Sequence, residues 1–411
     1  MLLRRGEKMC GFYDNEEDDY ESSYTDEEQN SNSFGDPSPM NPSTPTTPSP
    51  ILPSTSKVSE SETGLVDQEL EELISKIETR IKVVGCGGAG NNTISRISEM
   101  GVLGAETLAV NTDAQDLLKA KASKKILIGK DVTKGLGAGS NPALGREAAK
   151  ESEQEIKQSL KGAQMVFLTC GLGGGTGTGS IPVIAEVTKK LGILTVAIVT
   201  VPFTIEGKQR IINAKEGLER LEGLVDTLIV IPNDKLLELA PDLPLSTSFK
   251  VADEILTNAV KGIAELVTKP GLINLDFADI KAVMGSGGMA MIGIGESDTE
   301  SRAEEAVEKA IANPLLDVEI SGANGALINV LGGEDMTLDE AKKVVQTVSE
   351  RLDDSARIIW GAQLSADLKN SVRAMLIVTG VSSTQIFGKG STISDKRRAE
   401  TSNDLGIEFV D

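Results

Sequence analysis

Between residues 171 and 180 the chain reads Gly-Leu-Gly-Gly-Gly-Thr-Gly-Thr-Gly-Ser, six glycines in ten positions. Ordering such a segment is costly, because glycine loses more backbone freedom on folding than any other residue. The segment follows an apolar run, Met165–Cys170, and precedes Ile181-Pro182-Val183, which reads as a helix start. A glycine-rich passage from strand end to helix turns backbone amides and the positive end of the helix dipole toward an anion. The hydroxyls of Thr176 and Thr178 add further donors.

The same pattern occurs twice more. Gly85-Cys86-Gly87-Gly88-Ala89-Gly90 fits G-x-G-x-x-G after the strand Ile81–Val84. Alone, this motif reads by default as a dinucleotide-binding unit, and Asp113, 23 residues past Gly90, stands where a ribose-binding acid would sit. A tight strand–helix turn without a ligand is the plainer alternative. The third loop, Gly135-Leu136-Gly137-Ala138-Gly139-Ser140-Asn141-Pro142, is placed after the third strand. A nicotinamide enzyme needs one such loop, whereas a triphosphate uses two or three. Open α/β sheets gather the loops at their carboxyl ends into one crevice. No G-x-x-x-x-G-K-[ST] occurs, so triphosphate charge must be balanced by amides, helix dipoles and Mg²⁺ rather than by a P-loop lysine.

Composition removes other classes. The chain contains no histidine, which excludes Ser-His and Cys-His nucleophile pairs and histidine metal sites. Its three cysteines, Cys10, Cys86 and Cys170, suit neither a disulfide framework nor a zinc site and read as reduced structural thiols. A net charge of −21 argues against nucleic-acid binding and against unaided docking on an anionic membrane. No apolar run approaches the ~20 residues that span a bilayer. Aromatics are only 3%, so the core must be built from aliphatic residues, as in parallel α/β sheets.

Residues 1–62 carry 13 acidic and 4 basic side chains, a net of −9, with seven prolines between Pro37 and Pro53. That composition cannot bury enough surface to offset chain entropy and predicts a disordered acidic, proline-rich tail. Residues 63–79 read as an amphipathic helix on Val66, Leu70, Leu73 and Ile77. From Arg80 to residue 245, strands at 81–84, 107–110, 126–128, 165–170, 194–201 and 227–231 alternate with helical stretches. This predicts a doubly wound parallel sheet. Residues 246–271 form one long helix with Phe249, Ala252, Leu256, Ala259, Ile263 and Leu266 on one face, stopped by Pro270-Gly271. A smaller α+β unit over 272–383 follows, with strands at 289–294, 326–331, 357–360 and 374–379, then a flexible tail over 384–411.

Gly-Gly-Gly-Thr-Gly-Thr-Gly at 173–179 is the signature of the tubulin/FtsZ family, and from about Lys82 to Val381 the chain resembles that family in its archaeal form. The resemblance implies a GTPase domain joined by a central helix to a C-terminal activating domain, binding GTP/GDP with Mg²⁺. It implies nucleotide contacts at Gly87, Gly88, Ala89, Gly90, Asn91 and Asn92 in the first loop, and at Gly137, Ala138 and Gly139 in the third. Gly174, Gly175, Thr176, Gly177 and Thr178 are implied in the signature loop, and Glu206 and Arg210 in Pro-Phe-Thr-Ile-Glu-Gly-Lys-Gln-Arg (202–210). Asn233 in Ile-Pro-Asn-Asp-Lys (231–235), with Phe249 and Asp253, resembles the guanine pocket. A carboxylate at 253 can accept both the N1–H and the N2–H₂ of guanine, a donor pair that adenine lacks. Phe249 reads equally as a base-stacking ring or an ordinary core aromatic.

Asn274-Leu275-Asp276-Phe277-Ala278-Asp279 matches the family's synergy loop. At 1.5 Å per residue the long helix places it ~30 Å from its own nucleotide. Asn274, Asp276 and Asp279 are therefore expected to act on the nucleotide of the next subunit; helix capping is the alternative. The resemblance also implies self-association into filaments at a cytoplasmic midcell division ring, with regulators and a membrane tether reached through the tails. Two rivals remain: a nicotinamide-dependent oxidoreductase, which leaves 171–180 and 274–279 without a purpose, and a nonhydrolysing nucleotide-binding regulator.

Overall fold

The computed structural model describes residues 80–381 apart from 103, 236–244, 270, 274, 286–287, 314–321 and 354, and leaves out the side chains at 245, 246, 248, 249 and 252. The expected tails over 1–62 and 384–411, the amphipathic segment 63–79, Asn274 and the Phe249 side chain lie outside the described residues.

Six strands form the first part of one sheet: β1 (Ile81–Cys86), β2 (Ala105–Asn111), β3 (Lys124–Leu127), β4 (Met165–Gly171), β5 (Leu194–Val201) and β6 (Thr227–Pro232). Four more, β7 (Gly288–Ser297), β8 (Gly325–Gly332), β9 (Arg357–Leu364) and β10 (Val372–Thr379), complete it. The order is β3-β2-β1-β4-β5-β6-β7-β10-β8-β9. β1 to β6 are parallel throughout, and their central members are buried on both faces, as near-continuous apolar runs such as Met-Val-Phe-Leu-Thr-Cys in β4 require. A short parallel ladder, Thr227↔Gly288 to Ile229↔Ala290, carries the sheet from β6 into β7. Beyond it β10 runs antiparallel to both β7 and β8, and β9 closes the sheet parallel to β8.

Helices cover both faces. One apolar layer joins Ile94 and Ile97 of the helix Gly87–Met100 to Leu256, Val260 and Ile263 of the spine helix Leu245–Thr268. The opposite face is covered by helices Pro142–Glu151, Glu153–Leu160, Thr176–Lys190 and Lys208–Glu222. A third cluster packs helices Arg302–Ile311 and Leu338–Ser349 against β7, β8 and β10.

Local chemistry explains the starts. Asp113 caps the helix Ala114–Lys119 by accepting from Gln115 N and Asp116 N. Asn141 does the same for Pro142–Glu151, whose proline sits in the first turn, where a missing N–H costs nothing. One helical turn, Lys130–Thr133, separates β3 from the third glycine loop. That loop then lies against the end of β2, where Gly137 N donates to Thr112 O at 3.2 Å.

Candidate nucleotide site

The chain leaves β1 toward β2 and β3 on one side, then returns to β4, β5 and β6 on the other. Parallel sheets open a crevice at such a switch point, beyond the carboxyl ends of the strands. There a cleft of about 280 Å³ is walled by Gly87, Gly88 and Ala89, by Gly139, and by Gly174, Gly175, Thr176 and Gly177. Glu206, Arg210, Asn233 and Asp253 line the rest with Thr200 and Pro202. All three glycine loops thus meet at one place.

Backbone contact explains most of the glycines. Gly175 N donates to Gly139 O at 2.9 Å, and a Cβ at 175 would stand 2.4 Å from that same oxygen. At Gly177 a Cβ would meet Gly171 O at 3.0 Å and Cys86 O at 3.1 Å, and at Gly179 it would meet Pro142 O at 2.2 Å. The helix here begins at Thr176, five residues before Ile181. Gly177 and Gly179 are therefore helical residues that let the helix touch its neighbours, which a local reading of the glycine run does not reveal. Gly174 differs, because nothing lies within 4 Å of a Cβ built there, so its backbone faces the open cleft. Thr176 Oγ1 is 2.6 Å from Thr112 Oγ1, tying the loop to the end of β2. Thr178 Oγ1 accepts from Gly173 N at 2.9 Å and stiffens the turn from behind.

Several expected contacts stand behind the wall. A Cβ at Gly90 would lie 2.7 Å from Thr169 O, so this glycine serves close packing of helix on sheet. Ala138 is buried behind Gly139, Gly137 backs onto Asp113, and Asn92 is exposed. Asp113 spends its carboxylate as a helix cap and does not line the cleft, which removes the ribose acid that a nicotinamide site would need.

Two of the asparagines expected at the site carry buried, unpaired polar atoms. Asn233 is 6% exposed and its Oδ1 has no protein partner, although it belongs to a residue lining the cleft. Asn91 is 2% exposed, and neither its Oδ1 nor its Nδ2 is satisfied. Buried polar atoms left unpaired cost about 1–3 kcal/mol each, so Asn233, which lines the cleft, suits a partner that arrives there, whereas Asn91 is not among the lining residues. Beside Asn233, the Asp234 carboxylate accepts from Thr204 N at 3.0 Å and holds the 202–206 segment in place. Glu206 accepts from Phe203 N at 2.9 Å and from Arg210 Nη1, so its carboxylate and the guanidinium are fixed as a pair at the rim.

Asp253 lies on the spine helix with its side chain 17% exposed, 3.7 Å from Arg96. Burial pushes its pKa up from 3.8 to about 6, with Arg96 opposing the shift. Arg96 and Asn213 were not expected from the sequence. Asn213 Nδ2 donates to Ser140 O and to Gly173 O, each at 3.2 Å, and Gln209 Nε2 donates to its Oδ1 at 3.0 Å. It therefore ties the third loop to the signature loop. The only sequence signal was a polar residue on the inward face of the helix Lys208–Glu222.

Asp276 and Asp279 sit elsewhere. The spine helix has 24 residues, hence a length of about 36 Å. Its last residue, Thr268, packs against Gly104 beside the amino-terminal edge of β2, the edge opposite the cleft. Beyond it Asp276 caps the helix Phe277–Met284, accepting from Asp279 N at 2.7 Å, and both carboxylates are exposed. Capping accounts for one oxygen of Asp276 and leaves the Asp279 carboxylate turned to solvent.

Residues 80–241 match the Tubulin/FtsZ family GTPase domain, and residues 288–382 match the FtsZ family C-terminal domain. The chain is 62% identical over 325 residues to Cell division protein FtsZ 1 of Methanocaldococcus jannaschii, covering 79% of this chain and 89% of that protein. It is 61% identical over 318 residues to Cell division protein FtsZ 1 of Thermococcus kodakarensis, covering 77% and 85%. An empty FtsZ dimer structure from M. jannaschii superposes with a TM-score of 0.74 at 63% identity, covering 77% of this chain and 92% of that one. CetZ1 from Haloferax volcanii, at 22% identity and a TM-score of 0.67 over 80% of this chain and all of that one, shares the fold.

Proposed function

The chain belongs to the tubulin/FtsZ family of GTPases, and on that footing we propose that it assembles head to tail and hydrolyses GTP where two subunits meet. The filaments would build the cytoplasmic ring that divides the cell at its middle. The names of the relatives as cell division proteins, and the dimeric state of one of them, support this reading.

The observation that carries it is the separation of two half-sites. The cleft of glycine loops binds phosphates with backbone amides and reads guanine with Asn233 and the Asp253 carboxylate. Asp276 and Asp279 stand beyond the far end of the spine helix, out of reach of their own cleft. Stacked head to tail, one subunit's acidic loop meets the nucleotide of the next. There Asp276 and Asp279, with Asn274, orient and polarise the water that attacks the γ-phosphate, leaving GDP and phosphate. Such a heterologous contact generates filaments when it does not close.

Mg²⁺ bound with the triphosphate would supply positive charge to balance that on the phosphate oxygens. Among the described residues no group of three or more His, Cys, Asp or Glu side chains could hold a metal ion. No described helix is long and apolar enough to cross a membrane; a membrane tether reached through the tails is part of the same proposal.

Sedimentation with Mg²⁺ and GTP, GDP or ATP tests the assembly. Polymer should appear with GTP, disperse as GDP accumulates and be absent with ATP. Equal assembly with all three, or none with GTP at any protein concentration, contradicts the proposal.

A further inference from the structure

The acidic loop is held by a strand, not by the spine helix alone. β9 is the last strand of the sheet, and its outer edge is taken up by the segment leaving the spine helix. Leu272 N and Ile273 N donate to Ala362 O at 2.8 and 3.3 Å, and Ala362 N donates back to Ile273 O at 3.4 Å. The approach is so close that a Cβ at Gly271 would stand 2.6 Å from Ala362 O. On the other side of the loop, Arg357 at the start of β9 donates from Nη1 to Ala282 O at 3.3 Å, pinning the helix that Asp276 caps. A side-chain hydrogen bond also links this strand to the spine helix itself. Gln363, 6% exposed, donates from Nε2 to Glu265 O at 2.9 Å, a carbonyl of the helix's last turn that also accepts from Lys269 N.

We infer that Gln363 is a positioning residue for hydrolysis: by clasping the last turn of the spine helix to β9, it fixes where Asp276 and Asp279 stand when a neighbouring subunit's nucleotide arrives. This rests on the shared-site reading above. A loop that must reach a phosphate on another molecule tolerates little error, since a misplacement near 1 Å can cost about a hundredfold in rate. Glu265 O keeps a second donor in Lys269 N, so removing the Gln363 donor loosens the clasp without orphaning the carbonyl.

The test uses the full chain. Gln363→Leu removes the donor at similar volume, and Gln363→Asn, one methylene short, covers the case where leucine does not fold. GDP affinity and the sedimentable fraction with GTP should match the parent, while turnover at saturating GTP falls about ten- to a hundredfold. Turnover should return on mixing with Asp253→Ala, because that partner has a damaged cleft and an intact loop. Normal turnover in both Gln363 variants, or a loss that mixing does not restore, overturns the inference. Asp276→Ala mixed with Asp253→Ala is the control. If that pair fails to recover, the shared site itself is wrong and the inference falls with it; if it recovers and the Gln363 mixture does not, the inference alone fails.

Discussion

The Asp253 carboxylate stands 3.7 Å from the Arg96 guanidinium, yet burial outweighs that neighbour and holds its pKa up at about 6. Keeping this carboxylate ionised is therefore costly until guanine N–H groups donate to it. Binding through N1–H and N2–H₂ favours the ionised form, so GDP binding releases a proton below pH 6. GDP affinity should be flat above about pH 6.5 and fall by up to tenfold per pH unit below about 6. Asp253→Asn should bind weakly with a flat profile, as read by calorimetry between pH 5 and 8. The stability sign is opposite. With its folded pKa above the unfolded value, Asp253 stabilises the folded state fully only below about pH 4, and that contribution is lost as pH rises to 6. At pH 7 the empty Asp253→Asn protein should be more stable by about 2 kcal/mol, measured by chemical denaturation.

Neighbouring glycines in the signature loop should fail in different ways. Gly175→Ala places a methyl against Gly139 O and should lower the melting temperature of the empty protein, with about 1–3 kcal/mol lost to overpacking. Gly174→Ala meets nothing within 4 Å, so the empty protein should melt as before while GTP affinity drops about tenfold or more. Equal melting losses in both would show that the two glycines do the same work.

Asn213→Ala should weaken GDP binding about tenfold with an unchanged circular-dichroism spectrum, because Ser140 O and Gly173 O lose the donor that aligns two phosphate loops. Unaltered affinity would reduce this residue to a packing role.

Arg302 donates to Glu340 from Nε at 2.6 Å and also engages Asp335, which holds the Glu340 carboxyl down at about 2. This stabilisation is complete above about pH 4.5 and is lost as pH falls toward 2. After allowance for solvent at a partly exposed site it amounts to about 1–2 kcal/mol. Arg302→Ala should lose that much at pH 7 and show a shallower decline between pH 4.5 and 2.

Much of the scaffold was legible because local signals agreed. Leu194–Val201 is a mostly aliphatic run, rich in β-branched residues and broken only by Thr195 and Thr200, set between Gly192 and Pro202, and β5 occupies those same residues. The spine helix announced itself by apolar spacing, and its end at Thr268 precedes Pro270-Gly271. The glycine-rich loops were legible as loops, but not the division of labour within them. Gly177 and Gly179 serve packing against residues remote in sequence, and nothing local marks them off from Gly174. Asn213, Arg96 and Gln363 escaped for the same reason, since their partners lie far away along the chain, 98 residues in the case of Gln363. Asp113 shows the converse, a residue at the right spacing for one chemistry that the fold spends on a helix cap.

The most direct test of the shared site is phosphate release from GTP with Mg²⁺ as protein concentration rises, for the parent and for Asp276→Ala. The rate per molecule should climb with concentration in the parent and stay near zero in the variant, while both bind GTP alike. A rate per molecule independent of concentration, or undiminished in Asp276→Ala, would contradict the shared site.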